Sequence, residues 1–368
     1  MKGLKSKSVI GRFGILLLVV VLALSSIVFI GKTAVDNEFV AYENNPVMEL
    51  GNPGEWDGGS AVTPDVIQVD DTYYLFYVGT ITAFVEPSTI GFATSTNGIT
   101  WTKSISNPIF AADGSGFDAA FVADPEIFYE DGEWTLYYGA APSPPITLHD
   151  YQIGRATASD PGGPWTRDEN PVLTLGSSGE WDSAFVLPTS ILRTSDGYTM
   201  YYSGGADFFS AEDFMTGMAT SPDGITWTKY DDPSTTGAPY AESDPVLQPG
   251  GVGAWDSGMA WLGQVRHTAC GWEMFYTGAT SLSDAAIGYA TSQDGIQWTK
   301  DDTNPIYDAM DDPVAQTLGD VVESASVVDM GIERWMYYDY GRGNDPPAFG
   351  LAKASLSCQS TYLPLVMK

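Results

Sequence analysis

The segment IGFATS, from Ile90 to Ser95, decides the fold because variants of it recur along the chain. The further copies are IGRATAS from position 153, TGMATS from 216, IGYATS from 287 and FGLAKAS from 349. Successive copies start 63, 63, 71 and 62 residues apart. A repeat of this length with several short strands is typical of the blades of a β-propeller. Five copies therefore predict five blades stacked around a common axis.

Each copy follows an aromatic segment, and four copies precede a tight turn that ends in a tryptophan. The aromatic segments are YYLFY (73–77), WTLYY (134–138), YTMYY (198–202), WEMFY (272–276) and WMYYDY (335–340). Aromatic and β-branched residues suit half-buried strands, and Asn-Gly or Asp-Gly between them favours tight hairpins. We therefore predict an all-β, five-bladed β-propeller with four-stranded blades.

An Asn-Pro or Asp-Pro pair marks the outermost strand after four of the turns, and a fifth copy, Asn45-Pro46, precedes the first blade. This order predicts that residues 39–48 supply the outermost strand of the last blade and close the ring, which removes exposed sheet edges. One domain is expected over residues 35–356, with a short C-terminal tail at 357–368. The blades are expected near 49–110, 111–173, 174–247, 248–307 and 308–356.

The first 34 residues have the pattern of an export signal. Four basic residues precede an apolar run from Ile15 to Ile30, and no cysteine is present for a lipid anchor. This pattern predicts export, with either a cleaved signal peptide or an N-terminal membrane anchor. Secretion is favoured over anchoring, so we expect an extracellular or cell-surface protein.

Charge narrows the choice of partners. The chain has a formal net charge of −31, and without residues 1–34 its 11 basic and 47 acidic residues would give −36. Such a surface repels nucleic acid and anionic membranes, so a neutral ligand and a monomer are expected, with membrane contact only through an uncleaved N-terminal segment. The alternative is that the charge only keeps an exported protein soluble.

Neither a metal site nor a cofactor is expected. The histidines, His149 and His267, are too few for a site, and no cysteine or histidine cluster has zinc-ligand spacing. A structural cation in the central channel stays open as an alternative. Cys270 and Cys358 form a disulfide only if the fold brings them close together, which spacing alone leaves open.

The segment ADPEIFYEDG, from Ala123 to Gly132, resembles the second blade of family 43 glycoside hydrolases. The segments TPDVI at 63–67 and SVV at 326–328 resemble their first and fifth blades. In pattern the resemblance covers residues 39–355 and extends to arabinanase, levansucrase and invertase propellers. It implies an enzyme that cleaves or transfers sugars at the mouth of a central funnel.

The family's catalytic residues carry over only in part. The resemblance implies an Asp base on blade one, a pKa-tuning Asp on blade two and a Glu acid on blade three. Alignment on the aromatic strands predicts equivalent positions for Thr63, Asp124, Leu187, Leu262 and Glu323. Asp124 matches the second-blade Asp, but Thr63 and Leu187 replace the base and the acid. The family's mechanism therefore does not transfer unchanged.

Acidic residues that break the internal repeat at the axis are the remaining candidates. Residues i and i+2 share one face of a strand, so Asp65 and Glu126 are expected beside Thr63 and Asp124. Glycoside hydrolysis needs two carboxyl groups with separated pKa values. We therefore predict a catalytic set of Asp124 for orientation and tuning, Glu323 as proton donor and Asp65 as base, with Glu126 as a further member. The alternative is that these acids accept backbone hydrogen bonds or hold a cation.

Aromatic residues near the funnel are candidates for sugar stacking. The predicted substrate-binding residues are Trp56, Trp181, Trp255, Trp261 and the axis-facing Gln264. The Asp residues that follow three of these tryptophans are interpreted as turn or backbone caps.

The predicted function is an exported glycoside hydrolase that acts on a neutral oligo- or polysaccharide. The main alternative is a non-catalytic carbohydrate-binding or cell-surface propeller, and a structural surface protein ranks third. A sialidase is disfavoured by five repeats and by arginines that do not recur at equivalent positions. A mannoside phosphorylase would require more basic residues for phosphate than the predicted axis offers.

Overall fold

The computed structural model describes residues 38–82, 85–143, 150–207, 214–318, 321–341 and 348–356, with the backbone alone at 85–87. Five antiparallel sheets form a five-bladed β-propeller, which confirms the predicted fold class. The inner strands of successive blades contact one another in a closed cycle. The predicted leader, the C-terminal tail, His149 and Cys358 lie outside the described residues.

Each blade has four strands in antiparallel order from the axis outward, and two blades carry one more. Blade one contains β2 (Ser60–Val69), β3 (Thr72–Thr82), β4 (Val85–Ser95), β5 (Thr102–Lys103) and β6 (Phe110–Ala111). Blade two contains β7 (Phe121–Glu130), β8 (Glu133–Ala141), β9 (Gln152–Ala158) and β10 (Thr166–Arg167). Blade three contains β11 (Phe185–Thr194), β12 (Gly197–Gly205), β13 (Met215–Ser221), β14 (Thr228–Lys229) and β15 (Pro245–Leu247).

Blade four contains β16 (Met259–Thr268), β17 (Gly271–Ala279), β18 (Ala286–Ser292) and β19 (Trp298–Lys300). Blade five contains β20 (Val322–Met330), β21 (Glu333–Tyr340), β22 (Phe349–Ser355) and, as its outermost strand, β1 (Val40–Ala41). The described helical segments are a 3-10 turn, Gly116–Asp118, and the helix α1, Pro313–Leu318. Among the described residues, no helix has the length and apolar character needed to span a membrane.

The ring closes through the N-terminal segment, as predicted. Val40 is the register partner of Lys353, and the N–H of Tyr42 donates to the carbonyl of Leu351 at 2.8 Å. The Asn45 side chain forms two hydrogen bonds with the backbone of Leu351: it donates to the carbonyl at 3.1 Å and accepts from the N–H at 3.0 Å. The first and last parts of the propeller therefore share one sheet.

Turns on the outer part of one blade bind the aromatic strand of the neighbouring blade. Gly98, Gly224 and Gly295 have φ values of 70°, 73° and 77°, which glycine adopts without strain. The Gly98 carbonyl accepts the hydroxyl of Tyr337 at 2.7 Å, and the other two turns bind Tyr137 and Tyr201 in the same way. The recurring tyrosine and glycine thus join adjacent blades.

The aspartates of the Trp-Asp pairs are not the turn caps that the sequence suggests. Asp57 is buried, and its Oδ2 accepts the hydroxyl of Tyr77 at 2.8 Å and the ammonium of Lys103 at 2.6 Å. The same arrangement, an aspartate that binds a tyrosine hydroxyl and a basic side chain, recurs at Asp118/Tyr138/Arg167, Asp182/Tyr202/Lys229 and Asp256/Tyr276/Lys300. A buried carboxylate needs such partners to offset its lost hydration, so these aspartates stabilise the first four blades.

Cys270 is disulfide-bonded, and no free cysteine occurs among the described residues. His267 packs on the ring of Trp272, with ring centroids 4.5 Å apart. Neither residue lines the axis.

Candidate active site at the propeller axis

The inner strand of every blade has a β-bulge at the same level. The register skips two residues between Val62 and Asp65, and the same two-residue skip occurs in blades two, four and five. In blade three only Thr189 is skipped. The bulged residues Thr63, Asp124, Leu262 and Ser324 have φ values of 51°, 47°, 44° and 55°. A positive φ costs a non-glycine residue about 1–3 kcal/mol and persists only where neighbouring groups hold it. These bulges line the axis and often mark functional sites.

The register corrects the alignment of the blades made from sequence. Glu323 lies opposite Asp339, as Val62 lies opposite Val78 and Leu187 opposite Ser203. Glu323 and Leu187 are therefore one position before the equivalents of Thr63 and Asp124, and the true blade-five equivalent is Ser324. The blade-five equivalent of Trp134 is Arg334, and Ser324 precedes Arg334 by the same ten residues that separate Asp124 from Trp134.

A ring of hydrogen bonds joins all five blades one step beyond the bulges. Asp65, Glu126, Ser190, Gln264 and Ser326 are equivalent in register. Each side chain accepts the N–H of a residue on the next blade, namely Ile127 (2.7 Å), Ile191 (3.1 Å), Val265 (2.7 Å), Val327 (2.5 Å) and Val66 (2.9 Å). We call these five side chains the inter-blade ring. Because neutral side chains make the same bond in three blades, the bond does not require a carboxylate.

The two carboxyl groups of the inter-blade ring have shifted pKa values. Burial raises the pKa of Asp65 to about 7, although the N–H of Ile127 opposes the shift. Burial and the charge of Asp65 raise the pKa of Glu126 well above its ordinary value. Both groups line the axial cavity, but each already binds a neighbouring blade.

Three further carboxyl groups form a cluster beside this ring: Asp124 on β7, Glu323 on β20 and Asp339 on β21. Burial, followed by the charge of Glu323, raises the pKa of Asp124 to about 7. Burial, followed by the charge of Glu323, raises the pKa of Asp339 well above its ordinary value, and Asp124 adds to the shift. The three side chains therefore interact electrostatically, which separates their protonation states.

The neighbouring backbone makes room for Asp124. A Cβ atom on Gly139 would lie 3.5 Å from Asp124 Oδ2 and only 2.5 Å from Leu187 Cδ2. Glycine at this position leaves space for both side chains between blades two and three.

Asp339 was missed by the sequence analysis although a signal was present. Its register equivalents are Val78, Gly139, Ser203 and Thr277, so blade five alone carries a carboxyl group there. Ser203 and Thr277 accept the N–H groups of Leu262 and Ser324, and Asp339 likewise accepts the N–H of Thr63 at 2.6 Å. Applying the test for repeat-breaking residues to the second strand of each blade would have identified it.

The cavity between the bulges has a volume of about 40 Å³, which admits a few water molecules. Its described lining consists of Thr63, Pro64, Asp65, Asp124, Pro125, Glu126, Pro188, Thr189, Leu262, Gln264, Ser324, Ala325 and Ser326. These residues include carboxyl groups and neutral groups but no lysine or arginine. Among the described residues, no group of three or more His, Cys, Asp or Glu side chains is arranged to hold a metal ion.

The predicted tryptophans lie outside this cavity lining. Trp56 packs on Gly79 and Gly91, and Trp255 packs on Gly278 and Gly288. Trp181 is 2% exposed and donates from Nε1 to Ser243, while Trp261 is 4% exposed and packs on Phe214. Trp181 and Trp261 therefore fill space between strands, and Trp56 and Trp255 are half-buried against glycines. Sugar stacking by these indoles stays a prediction. Gln264 does line the cavity, where its Oε1 is a member of the inter-blade ring.

No family model and no curated protein sequence matches this chain. Among solved structures, a glycosyl hydrolase from Bacteroides ovatus is similar with 18% identity and a TM-score of 0.64, covering 86% of this chain and 92% of that chain. A structure from the GH130 family of mannoside phosphorylases, which contains hydrolases that target β-1,2-mannosidic linkages in Candida mannan, has 18% identity and a TM-score of 0.64, with 86% and 93% covered.

A thermostable family-43 glycoside hydrolase has 18% identity and a TM-score of 0.55, covering 83% of this chain and 91% of that chain. These matches confirm, at the level of the fold, the resemblance to propeller glycoside hydrolases. The chain therefore has the five-bladed β-propeller fold that these glycoside hydrolases share.

Proposed function

We propose that this protein is a glycoside hydrolase whose catalytic pair is Asp124 and Glu323 at the propeller axis. The observation that carries the proposal is the buried Asp124 carboxyl group beside Glu323: burial, followed by the charge of Glu323, raises the pKa of Asp124 to about 7. Glycoside hydrolysis requires one carboxyl group that donates a proton and one that acts as base or nucleophile. The fold shared with glycoside hydrolases supports the same reaction class.

The roles follow from which group holds the proton. A pKa of about 7 leaves Asp124 largely protonated in mildly acidic solution, which suits a general acid. Because the negative charge of Glu323 contributes to that shift, Glu323 is the ionised partner and acts as base or nucleophile. This assignment reverses the roles expected from sequence, where Glu323 was the donor.

Asp65 and Glu126 support the site without taking part in proton transfer. Asp65 is 5% exposed and accepts the N–H of Ile127, and Glu126 accepts the N–H of Ile191. Neutral groups serve the same purpose in blades three, four and five. We therefore assign Asp65 to positioning blade two, in place of the base role expected from sequence.

The substrate is proposed to be a neutral glycan, with water as the acceptor. The described cavity lining has no lysine or arginine to pair with a phosphate or a sugar carboxylate. The cavity has space for water beside Asp124, and the acidic chain repels anionic polymers. The predicted N-terminal leader supports action outside the cell or at its surface, and we propose that the protein acts as a monomer.

A substrate screen with matched variants tests the proposal. The screen compares wild type with Asp124→Asn and Glu323→Gln. The substrates are aryl glycosides, mannosides, and oligomers of arabinan, xylan and fructan. Asp196→Asn, which changes an exposed turn residue, is the control. We expect each site variant to lose at least about 100-fold in kcat without a lower melting temperature, as general acid–base groups contribute 10²–10⁴-fold. Glycan binding without turnover by wild type would favour the carbohydrate-binding alternative. Full activity in either site variant would exclude this pair.

A further inference from the structure

We propose that Asp339 is a positioning residue that carries a proton on Oδ1 and donates it in a hydrogen bond to Glu323, holding Glu323 as the carboxylate. This inference rests on the proposed function for its catalytic consequence. The protonation itself is a property of the folded protein and is tested without substrate.

The register of β20 and β21 brings two acids face to face. Glu323 and Asp339 are directly opposite each other in this antiparallel pair. Side chains in such pairs have Cβ atoms about 4.5–5.5 Å apart, and two like charges there are destabilising. A proton shared between the two carboxyl groups removes the repulsion.

Among the described residues, no cation acts on Asp339 in place of the proton. β2, β7 and β20, which surround the cluster, contain no lysine or arginine. Arg334, near the other end of β21, is already in ion pairs with Glu273 and Asp329. The charged groups that act on Asp339 are Glu323 from β20 and Asp124 from β7, and both are acidic.

The two carboxyl oxygens of Asp339 differ in their hydrogen bonding. The side chain is 1% exposed, and its Oδ2 accepts the N–H of Thr63 at 2.6 Å. Its Oδ1 is buried and has no hydrogen-bond partner of normal geometry within the described residues, although the Ser324 side chain lies near the carboxyl group and lowers its pKa, as the N–H of Thr63 does. A buried carboxylate oxygen without a partner is costly, whereas a protonated Oδ1 becomes a donor for the facing acid. Burial and the charge of Glu323 raise the pKa of Asp339, in agreement with this state.

The arrangement gives each acid a separate task. Thr63 orients Asp339 from blade one, and Asp339 stabilises and orients the ionised Glu323. The ionised Glu323 in turn keeps a proton on Asp124 through its charge. Asp339 is thus expected to act on the reaction through Glu323 and to have no contact with the substrate.

Two variants separate positioning from packing. In Asp339→Asn, the amide can accept the Thr63 N–H and donate to Glu323, so it mimics the protonated acid. Asp339→Val introduces the residue found at the equivalent Val78 and removes both bonds. We expect Asp339→Val to lower kcat at least about tenfold more than Asp339→Asn, with similar KM values, since such orienting contacts act in the transition state.

Infrared difference spectroscopy at pH 7 tests the proton directly. The spectrum of wild type minus Asp339→Asn should contain the C=O stretch of a protonated carboxyl group. Absence of that band overturns the proposal, whether or not the protein hydrolyses a glycan. Equal losses of kcat in both variants, together with equal losses of melting temperature, would also overturn it, because they indicate a packing role. If the band of the protonated carboxyl group is present but the protein has no glycosidase activity, Asp339 still carries the proton and only its proposed role in catalysis is rejected.

Discussion

Asp65 accepts the backbone N–H of Ile127 at 2.7 Å, and this bond joins blade one to blade two at the propeller axis. It is one of five equivalent bonds, and the acceptors in the other blades are Glu126, Ser190, Gln264 and Ser326. Two acids that sequence reasoning placed in the catalytic set therefore belong to a repeated structural device. The acids that lie outside this device, Asp124, Glu323 and Asp339, form the candidate site.

The inter-blade ring predicts that a hydrogen-bond acceptor at position 65 contributes more to stability than a negative charge does. Asp65→Ala should lower the free energy of unfolding by about 1–3 kcal/mol, because the buried N–H of Ile127 loses its partner. Asp65→Asn keeps an acceptor oxygen and should lose less than half of that. Urea denaturation at pH 7 measures both. If the two variants are equally unstable, the negative charge is what matters and the ring interpretation is wrong.

Ring closure predicts a strong effect of the N-terminal strand. Asn45→Ala removes the two hydrogen bonds to the backbone of Leu351 and a hydrogen bond of 3.0 Å to the buried Asp312. We therefore expect the free energy of unfolding to fall by about 2–3 kcal/mol. The neighbouring, exposed Asn44→Ala is the matched control and should have little effect. Deletion of residues 35–48 should lower the melting temperature more than either variant, and an unchanged value would contradict closure through β1.

The axial acids predict a fall in stability as the pH rises. Their folded-state pKa values are raised, to about 7 for Asp65 and Asp124 and also upward for Glu126 and Asp339. The folded state therefore binds protons that the unfolded state releases near pH 4, and the stability present at low pH is lost as the pH rises through about 7.

Melting temperatures between pH 5 and pH 8 at constant ionic strength measure this effect. The decline should be smaller in Asp124→Asn than in wild type, and Asp196→Asn should retain the wild-type slope. Exposed turn acids such as Asp223 and Asp294, whose pKa values are lowered by backbone hydrogen bonds, titrate below this range. A decline of equal slope in wild type and Asp124→Asn would show that other groups cause it.

The close packing at Gly139 predicts that a larger residue there disturbs the position of Asp124. In Gly139→Ala the new Cβ would approach Leu187 Cδ2 to 2.5 Å and Asp124 Oδ2 to 3.5 Å, so Leu187 must move beside Asp124. We expect kcat to fall by at least about tenfold and stability to fall by about 1–3 kcal/mol, the usual cost of overpacking. Gly237→Ala, where no atom lies within 4 Å of the new Cβ, is the control for the substitution itself. Wild-type kcat in Gly139→Ala would show that this contact does not position Asp124.

Much of the fold could be predicted from sequence because short local segments of each repeat specify its strands and turns. The recurring IGFATS-like strand, the aromatic segment and the turn glycines each specify one strand or hairpin. The extra Asn-Pro copy at Asn45 was sufficient to predict closure. The register in blade five was not predictable from aromatic residues alone, because a non-aromatic residue, Arg334, takes the position that Trp134 and Trp272 have in their blades.

The site was less predictable because its chemistry depends on contacts between blades. Asp65 and Asp124 are separated acids in similar sequence contexts, and only the fold reveals that Asp65 binds the N–H of Ile127. Asp339 lies in an aromatic segment that suggests packing, while its partner Glu323 is 16 positions earlier in the chain. Burial and proximity determine which of these acids retains a proton, and neither is encoded in a local pattern.

The most direct test of the account is the pKa of Asp124, measured by carbon-13 NMR titration of side-chain carboxyl groups and assigned by difference against Asp124→Asn. The account predicts a value of about 7 in wild type and a lower value in Glu323→Gln, because that variant removes the charge that helps to hold the proton. An ordinary aspartate pKa of about 4 in both proteins would contradict the assignment of Asp124 as the acid and Glu323 as its ionised partner.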